Sequence, residues 1–224
     1  MEAEVEVNRD KQLDYFSGVE YREPTHPVVM AYALPKIDYV LNKIALPPNA
    51  KILDVGCGGG VFTYHLSRIS DFVIGLDFST HLLARNRHTL KVCGDAVNLP
   101  FPDDSFDMVF EANLLHHVTD RHSVVAAMKR VTSRYVVLIE PNRLNPVMFA
   151  FSLAVPAERG GLNSSARTLT RLVEENGLKC LSVMTTGMIS QNNTPEFLLP
   201  FLKRFDKEII WGEYVVLIAE KSGL

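Results

Sequence analysis

The chain has 224 residues, of which 47% are apolar and 22% charged, with a formal net charge of −3. Such a composition excludes a disordered chain, and the length suits one sizeable α/β domain over residues 1–224 rather than two. The mildly acidic balance gives no electrostatic footprint for nucleic acid, which favours a basic face.

The opening stretch "MEAEVEVNRDKQLD" is acidic and polar, so neither a secretory signal nor a transit peptide is expected there. Residues 1–46 precede the first strand and are expected to form a helical lid, with a helix at "HPVVMAYALPKIDYVLNKI". From "KILDVG" (51–56) onward the rhythm is strand, turn, helix. The glycines after that strand lead into "VFTYHLSRI", and "DFVIGLD" (71–77) reads as a second buried strand. "STHLLARNRH" follows as a helix capped by Ser79. A short third strand fits "LKVCGDA" (90–96), and "FDMVFEA" (106–112) is a fourth. A helix from Arg121 to Val131 leads into "RYVVLIEP" (134–141), the strongest strand. A helix near "TLTRLVEENG", closed by Gly177, comes before strands at "KCLSVMTT" and "WGEYVVLIAE". Continuous apolar strands alternating with helices predict a doubly wound, mostly parallel sheet with helices on both faces, a Rossmann-like architecture.

Two further segments fall outside this rhythm, 142–166 and 187–210, and both are expected to cover the ligand edge of the sheet rather than to form a separate domain. The longest apolar run, "PVMFAFSLAVPA", is about a dozen residues, short of the ~18–20 that cross a bilayer, so no integral membrane association is expected. Cys57, Cys93 and Cys180 lie far apart and form neither a disulfide framework nor a zinc spacing. A reduced, cytoplasmic protein without a metal is the expectation.

Four glycines crowd the five positions 56–60 directly behind the first strand. A glycine turn between strand and helix lets backbone N–H groups approach a ligand with no Cβ in the way. Gly56, Gly58 and Gly60 have the spacing G-x-G-x-G. A dinucleotide fingerprint needs G-x-G-x-x-G, and Val61 or Thr63 stands where its third glycine belongs. Asp54, just before the turn, would repel a pyrophosphate and tolerate a cationic ligand. Asp77, ending the second strand, suits both hydroxyls of an unphosphorylated ribose, or a helix cap before "FST". Asp95, at the tip of the third, suits an adenine amino group, with the Ala96 N–H on a ring nitrogen. Asp103 and Asp104 fit a solvated turn, and Asp107 a structural contact.

"ILDVGCGGG", "GLDFS", "GDAVNLPFPDDSFDMVF" and "ANLLHHVTD" together resemble the successive motifs of class I S-adenosylmethionine-dependent methyltransferases, of the small type that includes quinone and lipid methylators. The resemblance is specific over Lys51–Asp120. It implies a seven-stranded sheet with its last strand, "EYVVLIAE", antiparallel, and S-adenosylmethionine as cofactor. By position, Asp54, Gly56 and Gly58 would face the methionine part, Asp77 with Phe78 the ribose, and Asp95 with Ala96 the adenine. Glu111 and Asn113 fall where the family surrounds the amino acid moiety with backbone groups, and Cys57 fills a small-residue slot. Many relatives carry "LKPGG" before the fifth strand where this chain has "VTSRYVVLIEPN", a departure away from the cofactor.

Methyl transfer from a sulfonium is in-line displacement in which orientation carries much of the catalysis, and hydroxyl or carbon acceptors also need a base. His117 and Glu140 are the catalytic candidates, with His116 and Asn142 at the same edge; the alternatives are that His117 hydrogen-bonds backbone and shapes the site, and that Glu140 caps the loop instead of lining the pocket. Tyr15, Tyr21 and His26 are candidate acceptor contacts from the lid. "NPVMFAFSLAVP" and "TPEFLLPFLKRFD" are rich in Phe, Leu and Met, and Pro200 predicts a kink or a short helix in the second. These faces suit packing on the sheet, a homodimer partner, or the wall of a site for a small lipophilic methyl acceptor such as an isoprenoid, quinone or lipid precursor. A polar amine or hydroxyl metabolite, and a catalytically silent cofactor sensor or partner subunit, stand as alternatives, with a nicotinamide oxidoreductase more distant.

Overall fold

The computed structural model describes residues 15, 16 and 18–222. The first fourteen residues of the expected lid lie outside them. Seven strands, β1 (Ile52–Val55), β2 (Val73–Asp77), β3 (Lys91–Cys93), β4 (Phe106–Ala112), β5 (Thr132–Pro141), β6 (Leu178–Thr186) and β7 (Tyr214–Lys221), form one sheet in the order β3-β2-β1-β4-β5-β7-β6. Pairing is parallel from β3 to β5, while β7 runs antiparallel to both β5 and β6. The order reverses between β1 and β4, and the crevice beyond the carboxyl ends of strands at such a reversal is where doubly wound folds take ligands.

The helices are α1 (Pro27–Lys43), α2 (Val61–Leu66), α3 (Thr80–Arg85), α4 (Arg121–Val131), α5 (Pro146–Ala154), α6 (Ala166–Glu175) and α7 (Leu199–Leu202). Alternation along each strand sends neighbouring side chains to opposite faces. Ile52, Met108, Phe110, Val137 and Ile139 pack against Tyr32, Ile37, Phe62 and Leu66 on one side. Leu53, Val55, Val109, Val136 and Leu138 pack against Val124, Met128, Leu169 and Val173 on the other. Coverage on both faces explains why the strands read as continuous apolar runs.

Side-chain caps set most helix starts. Ser79 accepts from the Leu82 N–H, Asp120 from Ser123, Asn145 from Val147 and Met148, and Ser165 forms a reciprocal box with Thr168. The predicted helix from Ser79 to His88 stops at Arg85, because Asn86 turns to extended backbone and its side-chain oxygen accepts from the His88 N–H. β7 begins at Tyr214 rather than Trp211, since the Gly212 N–H closes a turn onto the Ile209 carbonyl. Segment 142–166 holds α5 and a 3-10 stretch, Pro156–Asn163. In segment 187–210 the apolar stripe breaks into a four-residue α7 flanked by 3-10 turns, with Pro200 in its first turn.

Phe110 is fully buried at the centre of β4, its ring 5.0 Å from that of Phe62. Phe110→Ala is expected to lower unfolding stability by about 3–5 kcal/mol, through lost burial and a residual cavity. Urea denaturation followed by tryptophan fluorescence and circular dichroism checks it.

Candidate active site

One cavity of about 1330 Å³ opens at the carboxyl edge of the sheet. Asp54, Gly56, Cys57, Gly58, Asp77, Phe78, Asp95, Ala96, Asn113 and His117 all line it. Sequence alone assigned these residues to three different strand ends and one loop; the fold delivers them to a common space.

Its floor is built by the glycine turn. Gly56 and Gly58 have φ of +71° and +49°, left-handed values that side chains disfavour. The N–H groups of Gly56 and Cys57 both donate to the Leu76 carbonyl, at 2.7 and 3.0 Å, which fastens the turn to β2. Asp77 completes the clamp. Its Oδ2 accepts from the Gly58 N–H and its Oδ1 from the Ser79 N–H, each at 2.8 Å. Burial raises this carboxyl, while the backbone donors pull the other way. Gly60 serves differently from the other two. It caps α2 at φ +88°, a Cβ there would collide with the Asn86 side chain, and it does not line the cavity.

Asp54 is buried, and its Oδ2 accepts from the Thr63 hydroxyl at 2.6 Å. Burial pushes it up to about 7, and no Lys or Arg among the described residues pairs with it. A cationic group arriving in the cavity would restore its charge. Asp95 closes an Asx turn by accepting from the Val97 N–H at 3.0 Å. Cys57 packs: its sulfur accepts from Asn86 Nδ2 at 3.5 Å, and a Cβ on Gly75 would fall 2.8 Å from it. Burial pushes the thiol up, away from reactivity. Asp107 accepts from the Lys51 N–H, a structural contact.

Past β4 the chain turns through Asn113, at φ +59°, whose Nδ2 donates to the Tyr32 hydroxyl at 2.7 Å. A 3-10 turn, Leu115–His117, follows. Glu140 sits behind this turn, fully buried, and does not line the cavity. Its carboxylate accepts from the N–H groups of Leu115 and His116, at 2.9 and 3.1 Å, and from His116 Nδ1 at 2.9 Å. Burial would raise Glu140, but the His116 imidazolium outweighs it and holds the group below the usual carboxylate range. Glu140 thus holds the 115–117 turn from behind and does not itself line the cavity. Glu111 lies within β4 and is also fully buried away from the cavity. Burial and the Glu140 charge raise it well above its ordinary value, and its Oε2 accepts from the Leu114 N–H.

His116 is clasped from its other side as well, its Nε2 lying 3.2 Å from Glu158 Oε2. Burial alone would lower it, but the two carboxylates raise it to about 9. Glu158 also accepts from the Tyr15 hydroxyl at 3.0 Å, which ties the segment before α1 to the insertion after β5. Gly160 permits this closure, since a Cβ there would run into the His116 carbonyl. His117 Nδ1 lies 3.1 Å from the Ala157 carbonyl, and burial beside His116 drives its ring down to about 3. The ring is thus neutral and a weak base. His116, His117 and Glu158 bring nitrogen and oxygen atoms within 4.8 Å of one another. Both nitrogens of His116 face carboxylates, so a metal there would have to displace a proton from its ring.

The far wall comes from the insertions. Val147, Met148 and Phe151 of α5 and Leu198 and Leu202 line the cavity, together with 190–195. Phe197 and Phe201 point outward, at 79% and 55% exposure. Tyr15 and Tyr21 line the cavity, whereas His26 caps α1 and Asn142 binds the Gly212 carbonyl, both away from it. Sequence reasoning passed over Glu213, Tyr32 and Lys36. They carry no motif signal and come together only because β7 reverses.

Among known proteins, residues 53–139 match the family model described as a methyltransferase domain. A demethylmenaquinone methyltransferase of Mycolicibacterium paratuberculosis is 33% identical over 134 residues, 58% of this chain and 58% of that protein. One from Corynebacterium glutamicum is 37% identical over 93 residues, 41% of this chain and 40% of its own length. The chain thus spans about half the length of the curated relatives it matches. In fold it is similar to a SAM-dependent methyltransferase of Thermotoga maritima (TM-score 0.64, 20% identity, 84% of this chain and 89% of that one). It is also similar to one of Aquifex aeolicus (TM-score 0.62, 16% identity, 90% of this chain and 100% of that one).

His116, raised to about 9 from an ordinary 6.5, contributes stability that is fully present below pH 6.5 and is lost as pH rises through about 9. The stability gap between wild type and His116→Gln is therefore expected to be widest at pH 6 and to narrow toward pH 9. Urea midpoints across that range measure it.

Proposed function

With residues 53–139 forming a methyltransferase domain of the class I S-adenosylmethionine-dependent type, we propose that the chain transfers a methyl group to a small lipophilic acceptor bearing a hydroxylated aromatic ring, of the quinol class. One observation carries the reading: the glycine turn, Asp77 and Asp95 share a single cavity with an apolar chamber walled by Met148, Phe151, Leu198 and Leu202. The relatives named demethylmenaquinone methyltransferases support an acceptor of this kind.

The residues present fit the cofactor. Gly58 leaves open space where a Cβ would stand, with nothing nearer than a Leu82 methyl at 3.8 Å. Asp77, held by two N–H groups, keeps its remaining lone pairs for the ribose hydroxyls. Asp95 and the Ala96 N–H would take the adenine edge, with Phe78 beside the ribose. Asp54 supplies the buried carboxylate that a ligand ammonium would ionise, next to Gly56 and Asn113. Bound there, S-adenosylmethionine supplies an activated methyl group. The chain's part is to hold the acceptor in line at near-attack distance, to exclude water with the Tyr15–Glu158 closure, and to manage the acceptor's proton.

Asp77→Ala is expected to weaken binding of S-adenosylhomocysteine by about 1–3 kcal/mol, through loss of paired hydrogen bonds. Isothermal titration calorimetry on the folded variant checks it. Tighter binding of NAD than of S-adenosylhomocysteine by wild type would overturn the assignment of the cavity.

A further inference from the structure

Glu213 precedes β7 at the same edge of the sheet, only 7% exposed, and lines the cavity on its acceptor side. Its backbone is pinned at both ends. The Glu213 N–H donates to the Gly187 carbonyl at 2.8 Å, and its own carbonyl accepts from the Asn142 N–H at 2.7 Å. Its side chain is not satisfied in the same way: Oε2 is buried with no hydrogen-bond partner among the described residues. An unpartnered buried carboxylate oxygen costs stability, and packing alone would be served as well by an apolar residue. The Glu213 side chain borders the chamber, and a hydroxyl entering there brings this carboxyl group a donor that the described residues do not supply in full.

The charged surroundings suit proton exchange. Lys36, on α1, is buried with its ammonium 2.6 Å from the Tyr32 carbonyl and over the rings of Tyr32 and Tyr214, at 3.8 and 4.6 Å. No direct ion pair joins it to Glu213 among the described residues. Burial raises Glu213 to about 7, against the pull of Lys36, and burial lowers Lys36 to about 7, against the pull of Asp206 and Glu213. Tyr32 and Tyr214, the other titratable groups here, are both pushed up and stay neutral. His117, the base that sequence suggests, is too weak for the task, and Glu140 is engaged elsewhere.

We propose that Glu213 is the proton acceptor of the acceptor chamber, taking the proton from a hydroxyl of the methyl acceptor during transfer. This rests on the hydroxyaromatic reading above. The acceptor O–H bond breaks and its proton bonds to the Glu213 carboxylate. The electron pair left on the acceptor, on the oxygen or delocalised to the adjacent ring carbon, forms the new bond to the methyl carbon as the carbon–sulfur pair returns to sulfur. Attack through carbon also releases the ring hydrogen as a proton, which restores the hydroxyl.

The test uses the full chain in two arms. In the first, infrared titration of wild type is expected to show a protonated-carboxyl band, part of which fades around pH 7 and is diminished in Glu213→Gln, leaving the parts due to Asp54 and Glu111. In this arm 1-naphthol serves as a hydroxyaromatic probe, and Glu213→Gln is expected to weaken its binding at least tenfold at pH 8. In the second arm, methyl transfer to a reduced demethylmenaquinone with a short side chain is followed against pH. Wild-type kcat is expected to rise through about pH 7. Glu213→Gln loses that limb and roughly a hundredfold or more in kcat, with S-adenosylhomocysteine affinity unchanged. Glu213→Asp recovers part of the rate, and Lys36→Met moves the limb to higher pH. An unchanged rate and limb in Glu213→Gln, or an unchanged infrared band with unchanged naphthol affinity, overturns the role of Glu213. Wild type that transfers nothing to the quinol while binding S-adenosylhomocysteine overturns the quinol reading instead, and the infrared and naphthol measurements then decide Glu213 by themselves.

Discussion

The two hydrogen bonds that Asp77 accepts from Gly58 and Ser79 hold the candidate site together. One carboxylate at the end of β2 fixes both the glycine turn after β1 and the first turn of α3. The bonds are short, buried and charge-assisted, so they fix the two loops more firmly than neutral contacts would. Every other feature of the cavity is set out from that clamp. Asp54 lies in the adjacent strand β1, Asp95 just past the neighbouring strand β3, and Asn113 across the reversal in strand order, all lining the same cavity.

Acidic residues at this edge divide into two kinds by the company they keep. Glu140 and Glu158 share the His116 imidazolium and stay ionised in the interior. They spend their charge on the shape of the 115–117 turn and on its contact with the insertion. Asp54 and Glu213 form no direct ion pair among the described residues and are raised to about 7. A buried carboxyl raised to near neutrality is poised to lose or keep its proton according to whatever enters. The paired acids build the pocket, and of the unpaired ones Asp54 and Glu213 border its contents while Glu111 stays behind the wall.

Much of the architecture was legible because local signals and the global fold agree. β4 and α4 start and stop where the alternation and the Asp120 cap place them. The glycine spacing and the acids after β2 and β3 pointed to one nucleoside-sized ligand, and those residues do share a cavity. Glu140 was harder to read. Position at a strand end says nothing about which side a carboxylate faces, and His116 turns this one inward. Glu213 and Lys36 were invisible for another reason. A lysine on an amphipathic helix ordinarily reads as solvated, and "IIWGEY" carries no pattern beyond a strand start. Their meeting depends on the reversed strand, a long-range fact that no short window of sequence contains.

That reversed strand also governs how the molecule can be assembled. β6 meets the sheet only through β7, which lies between it and β5. On a ribosome delivering residues in order, the first five strands can knit together as they emerge, since each finds a neighbour already made. β6 must wait, its hydrogen-bonding edges open to other chains, until the segment that bridges it to the rest has left the exit tunnel.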